Sequence, residues 1–137
     1  MGNCLRGDNG VGSILVDRLK KKKLDVTLID AADVPENFLA SIESSGADLV
    51  LVIDSADLGG EPGDISLLEI TALKQFGVAT HTVNLGLLFR VIPRSRRPEV
   101  MLVAIQPENT EAGSGLSRSV DIAMKGLEKL LLQVFKE

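Results

Sequence analysis

Apolar residues recur at helical spacing from the first dozen positions of the chain: Val11, Ile14, Leu15 and Leu19 predict a helix over about 11–22, closed by the basic run Lys20–Lys23, where cations complement the negative helix end. Val26 to Ile29 reads as a short strand ending at Asp30. Pro35, with Phe38, Leu39 and Ile42 behind it, predicts a helix that starts on a proline. The β-branched and leucine run Leu49 to Ile53 is the pattern of a strand buried on both faces, and it stops at Asp54. Turn residues Gly59-Gly60-Glu61-Pro62-Gly63 follow, then a brief strand over Ile65–Leu68, suited to a sheet edge. A helix near 69–76, another over Leu85–Val91 and a strand over Val100–Ile105 come next. The last element has the strongest period: Val120, Ala123, Met124, Leu127, Leu130, Leu131 and Val134 share one helical face, behind Ser117 as N-cap.

Helices alternating with strands call for an α/β fold: three layers, a mostly parallel twisted sheet with helices on both faces. Ligands in such sheets gather beyond the carboxyl ends of the strands, where Asp30 and Asp54 both fall. No repeat or linker divides the 137 residues, so the expectation is one domain over 1–137, large enough to bury about two-thirds of its unfolded surface. The interior must be aliphatic, because the chain has four Phe and neither Trp nor Tyr. A net charge of -4 and this shortage of aromatics argue against nucleic acid. Cys4 is the sole cysteine, which excludes an intrachain disulfide and suits a reducing, cytoplasmic setting. No apolar run approaches the roughly eighteen residues of a membrane span. The first residues lack the regions of a signal peptide.

The most informative segment is Gly2-Asn3-Cys4-Leu5-Arg6-Gly7-Asp8-Asn9-Gly10-Val11-Gly12, a glycine-dense loop opening the first helix. Glycine lets backbone approach a ligand or a neighbouring element without Cβ interference. A nucleotide or phosphate binder is one reading, with Asp30 as the ribose acid. The spacing Gly7-x-x-Gly10-x-Gly12 departs from that fingerprint, however, and Asp8 would repel a phosphate.

Five stretches together carry a different resemblance: the glycine loop; Ile29-Asp30 with Pro35-Glu36-Asn37; Val52-Ile53-Asp54-Ser55-Ala56-Asp57 running to Glu61-Pro62-Gly63-Asp64-Ile65; Thr80-His81; and Ile105-Gln106-Pro107-Glu108 ahead of Leu116-Ser117. In this order the chain resembles the hydrogenase maturation endopeptidases, which trim the C-terminal tail from nickel-iron hydrogenase large subunits. The resemblance implies an endopeptidase specific for one large-subunit precursor after nickel insertion, acting as a cytoplasmic monomer. It further implies a divalent metal site, for nickel that the substrate itself can supply, at Asn9, Asp54 and His81, the sole histidine. The family has an acid where Asn9 stands, and an amide binds a cation less tightly. That departure keeps a non-catalytic precursor binder open as an alternative.

By the same resemblance Asp30 engages the precursor; read from the residues alone, it equally suits a capping carboxylate. Asn3, Gly7, Asp8 and Gly10 are expected to build the loop, and Asp57 and Asp64 to serve as turn residues. The basic loop Arg94-Ser95-Arg96-Arg97 is solvated surface or a dock for an acidic partner. The family also places an apolar strand before the Gly-Asn pair, where this chain has only Met1. This N-terminal strand is apparently missing, so the expectation is that the chain is shortened at its start, or that another segment or chain fills the slot between Val26–Ile29 and Leu49–Ile53.

Overall fold

The computed structural model describes residues 1–32, 34–72 and 85–136. In chain order the regular elements are α1 (Val11–Lys20), α2 (Leu39–Ser44), β1 (Leu49–Ser55), β2 (Ile65–Glu69), α3 (Leu85–Phe89), β3 (Glu99–Ile105) and α4 (Arg118–Phe135). The continuous apolar runs become β1 and β3, which pair in parallel from Leu49↔Glu99 to Ser55↔Ile105. β2 lies antiparallel on the other side of β3, giving the order β1-β3-β2 and the edge position expected for it.

Alternation along β3 divides the interior into two clusters. Val100, Leu102 and Ala104 join Phe89 and Ile92 on one face, with Phe38, Leu39 and Ile42 packed alongside. On the other face Val103 and Ile105 meet Val11 and Leu15 of α1 and Val120, Met124 and Leu127 of α4. Helices therefore cover both faces, and the fold class is the three-layer α/β arrangement. Aliphatic side chains dominate the α1–α4 side, with Met124 in the core and Phe135 packed at its margin.

Several boundaries differ from expectation. α1 stops at Lys20, and Pro35 opens a 3-10 turn over Pro35–Phe38 that α2 continues. Only a 3-10 turn, Ile70–Ala72, occupies the start of the expected helix near 69–76; the rest of it lies outside the described residues. The stripe on α4 is narrower than its period suggested: Leu130 and Val134 are 54% and 61% exposed.

The expected strand Val26–Ile29 is not a strand. A strand exists through its ladder, and among the described residues segment 24–29 has only a bridge from Leu24 to Lys136 and the bond from the Asp25 N–H to the Phe135 carbonyl. It runs opposite β1 across an apolar groove of 440 Å³, lined by Leu24, Leu28, Ile29, Phe38, Leu49 and Leu51 among others. Residues 1 and 2 close one end of this groove. The Met1 ammonium donates to the Ile53 carbonyl at 2.9 Å, and the Gly2 N–H donates to the Ala32 carbonyl at 2.6 Å. Even-numbered residues of β1 face β3, as the Glu99 N–H to Asp48 carbonyl bond shows. Leu49, Leu51 and Ile53 consequently turn their main-chain groups toward the groove.

Candidate functional site

The site forms where β1 ends against the glycine loop. Asp54 is fully buried, and its Oδ1 accepts the Ser55 N–H at 2.8 Å. Ser55 turns its hydroxyl the other way and donates to Asn9 Oδ1 at 2.9 Å. One residue thus orients both the strand-end carboxylate and the loop amide, bringing Asp54 and Asn9 together. Close approach of the loop depends on Gly2, whose φ of +120° and contact with the Asn9 carbonyl leave no place for a Cβ. The same missing Cβ would lie 3.5 Å from Asp54 Oδ1, so the loop packs directly on the carboxylate. His81 lies outside the described residues.

Asp8 takes no part in that pair. Its side chain is fully buried and accepts four hydrogen bonds from the far end of the chain: the N–H groups of Glu108 (2.8 Å), Asn109 (2.9 Å) and Ser117 (2.7 Å), and the Ser117 hydroxyl (2.9 Å). Burial opposes ionisation, but the donors of Asn109, Ser117 and Glu108 outweigh it and hold the carboxyl below the usual carboxylate range. Ser117 does stand at the N-cap of α4, but its hydroxyl accepts no cap bond there and donates to Asp8. The rest of the loop is closed locally. Asn3 Oδ1 accepts the Leu5 N–H, and Gly7 and Gly10 lie against the backbone of Asn109 and Cys4.

Asp30 sits in the turn after segment 24–29, beside the start of α1. Its Oδ1 accepts the Ser13 hydroxyl at 2.7 Å and the Ala32 N–H at 3.0 Å, which is the geometry of a capping carboxylate. Partial burial raises its pKa; the Ser13 hydroxyl, the Ala32 N–H and the nearby N-terminal ammonium outweigh that and lower it. Asp57 and Asp64 both close turns, accepting the N–H of Gly59 and Glu61 respectively. The arginine loop is partly spent on its own chain. Arg97 donates to the carbonyls of Arg90 and Ile92, and Arg96 pairs with Glu43 at 3.2 Å.

Two polar residues with large roles went unread in the sequence. Ser55 stood only as the residue after the strand-end Asp54, and that place was its one signal. Gln106 stood only within the stretch Ile105–Glu108; a polar residue directly after a buried strand is itself a signal, since its amide must find partners. Among the described residues no three His, Cys, Asp or Glu side chains gather around one point.

Comparison with known proteins gives the arrangement a context. Residues 11–134 match the family model HycI, hydrogenase maturation protease. The hydrogenase 3 maturation protease of Escherichia coli K12 is 28% identical over 110 residues, covering 79% of this chain and 70% of that protein. A putative hydrogenase maturation protease of Methanocaldococcus jannaschii is 23% identical over the whole chain and 86% of its own length. The crystal structure of the [NiFe] hydrogenase maturation protease HycI from Thermococcus kodakarensis KOD1 superposes with a TM-score of 0.86 at 26% identity, covering 97% of this chain and 86% of that one. With the family model spanning nearly all of its length, this chain belongs to the hydrogenase maturation protease family.

Proposed function

We propose that the chain is an endopeptidase that removes the C-terminal extension of a nickel-iron hydrogenase large-subunit precursor after nickel insertion, working as a monomer in the cytoplasm. The observation that carries the reading is the fully buried Asp54 carboxylate, held by Ser55 at the end of β1 against the glycine loop. The carboxylate accepts the Ser55 N–H and lies within electrostatic reach of the Met1 ammonium, so the loop gathers charged and polar groups at one point. Asp54, Asn9 and His81 would supply carboxylate, amide and imidazole donors, a mixed oxygen and nitrogen set suited to nickel, zinc or cadmium. When bound, such a metal polarises a carbonyl or lowers the pKa of a water. The chain's own part is orientation: Ser55 fixes Asp54 through its N–H and Asn9 through its hydroxyl, while Gly2 lets the loop close over both. Asp30 is assigned to the precursor, with its Ser13 and Ala32 bonds favouring the ionised form.

The decisive experiment incubates the protein with nickel-loaded precursor and follows the precursor by mass spectrometry. Release of a short C-terminal peptide is expected, with casein left intact; cleavage of nickel-free precursor would contradict coupling to nickel insertion. A second reading, a non-catalytic precursor binder, is favoured by one observation. The Asn9 oxygen, already a neutral donor in place of an acid, is engaged by the Ser55 hydroxyl. Precursor binding without cleavage would select it. A phosphate site in the glycine loop has less support, because the loop N–H groups of Arg6, Asp8 and Asn9 are bonded to main-chain carbonyls and the loop carries the Asp8 carboxylate, held below the usual carboxylate range.

A further inference from the structure

Gly2 is held by both of its main-chain polar groups. Its N–H donates to the Ala32 carbonyl at 2.6 Å, and its carbonyl accepts the Ser13 hydroxyl at 3.2 Å. The same hydroxyl donates to Asp30 Oδ1 at 2.7 Å, and that oxygen also accepts the Ala32 N–H at 3.0 Å. These contacts close a ring, from Gly2 to Ala32, Asp30, Ser13 and back to Gly2. The ring joins the start of the glycine loop, the first turn of α1 and the turn that follows segment 24–29. Ser13 adds a further tie, its N–H donating to the Met1 carbonyl at 3.1 Å.

Asp30 Oδ1 is the hub. An anionic acceptor takes the hydroxyl proton more strongly than a carbonyl does, so the 2.7 Å bond is the firm one and the Gly2 carbonyl takes the weaker share. Ala32 shows how tightly this corner is set: its φ is +48°, a left-handed conformation that a residue with a Cβ keeps only where its surroundings over-determine it. Here both of its polar groups belong to the ring. What the ring fixes in turn is one wall of the Asp54 site. A Cβ on Gly2 would collide with the Asn9 carbonyl and lie 3.5 Å from Asp54 Oδ1, so the place of Gly2 sets the place of both.

We infer that Asp30 is a positioning residue for the Asp54 site, acting through Ser13, Ala32 and Gly2 rather than as a ligand, beside its assigned contact with the precursor. This rests on the reading of Asp54 and Asn9 as the functional site. The test measures nickel affinity of the chain alone by calorimetry in wild type, Asp30→Ala, Asp30→Asn, Ser13→Ala and the double alanine variant. Amide exchange is read in parallel at Gly2 and at Ser55, whose N–H donates to Asp54 Oδ1. Asp30→Ala should weaken nickel binding about tenfold and speed exchange at both amides, the change expected from losing hydrogen bonds of ordinary strength. Asp30→Asn keeps an oxygen acceptor for Ser13 and Ala32 without the charge, so its nickel affinity and Ser55 exchange should stay within about twofold of wild type. Ser13→Ala should resemble Asp30→Ala, and the double variant should lose less than the sum of the two, because both act through one ring.

Wild-type nickel affinity and unaltered Ser55 exchange in folded Asp30→Ala overturn the inference, as do losses that add in the double variant. If Asp30→Ala does not fold, the same result in Ser13→Ala overturns it. An Asp30→Asn as weak as the alanine variants does so too, since charge rather than the ring would then be acting. Wild type that binds no nickel refutes the metal reading alone, and exchange at Ser55 still decides the role of Asp30. Unchanged precursor affinity in Asp30→Asn refutes only the precursor contact.

Discussion

Replacing Asp8 tests whether the glycine loop is held by its bonds to the C-terminal third of the chain. In Asp8→Ala, three main-chain N–H groups and one hydroxyl lose their acceptor. A buried unsatisfied donor costs about 1–3 kcal/mol, and because Glu108 is exposed and Asn109 and Ser117 are half-buried, water can reach some of these and the lower figure applies to each. The expected loss is roughly 3–4 kcal/mol, against a typical domain stability of about 5–15 kcal/mol. Asp8→Asn keeps the shape and one acceptor oxygen but turns an NH2 toward the donors, so roughly 2–3 kcal/mol is expected. For a chain of this size either change lowers the Tm by roughly 10 °C.

The pH dependence is a second check on the same reasoning. The folded carboxyl titrates below its ordinary value, so its contribution is complete above the unfolded pKa, about 3.9, and is lost as pH falls through the folded value. Urea unfolding of wild type and Asp8→Asn between pH 3 and pH 7 should show a gap that is widest near neutrality and narrows below about pH 4. A gap under about 0.5 kcal/mol at pH 7, or one that widens in acid, would refute the assignment.

Three further outcomes are expected. Fusing an apolar hexapeptide ahead of Met1 should raise the Tm by roughly 5–15 °C, because its strand can pair with the groove-facing groups of Leu49 and Leu51 and bury the apolar lining; an unchanged melting curve would show that the groove does not take a strand. Gly2→Ala should cost at least about 2 kcal/mol through strain and collision with the Asn9 carbonyl, whereas Gly126→Ala, in the open on α4, should stabilise by about 0.5–1 kcal/mol; chemical denaturation of both variants checks the contrast. Asn9→Asp should tighten nickel binding in calorimetric titration and His81→Ala should weaken it, and unchanged affinity in both would remove them from the metal set.

The elements that depend on local pattern were legible in the sequence. Val120, Met124, Leu127 and Leu131 announce α4 by period alone, and the aliphatic runs announce β1 and β3. Val26–Ile29 has the composition of a strand, but a strand also needs a neighbour, and no local signal reports whether one is in place. The site divides along the same line. Asp54 could be read as a strand-end carboxylate, and the glycine loop as a close approach. That Asp8 faces residues 108–117 while Asn9 faces Ser55 could not, because adjacent loop residues differ only in orientation and their partners lie about a hundred or about fifty positions away. Gln106 was hidden for a related reason: its partners in 57–64 are set by the register of β1 against β3, which becomes fixed only once the sheet forms.

The span of the Asp8 bonds has a consequence for how the chain comes off the ribosome. Ser117 follows Asp8 by 109 positions, so at about 5–20 residues per second the glycine loop waits several seconds after its own synthesis before its fastening exists. During that interval α1 and β1 can meet and Asn9 can reach Ser55, but the Asp8 carboxylate has no donors to bury against. Fastening of the loop is thereby placed after every strand of the sheet has emerged.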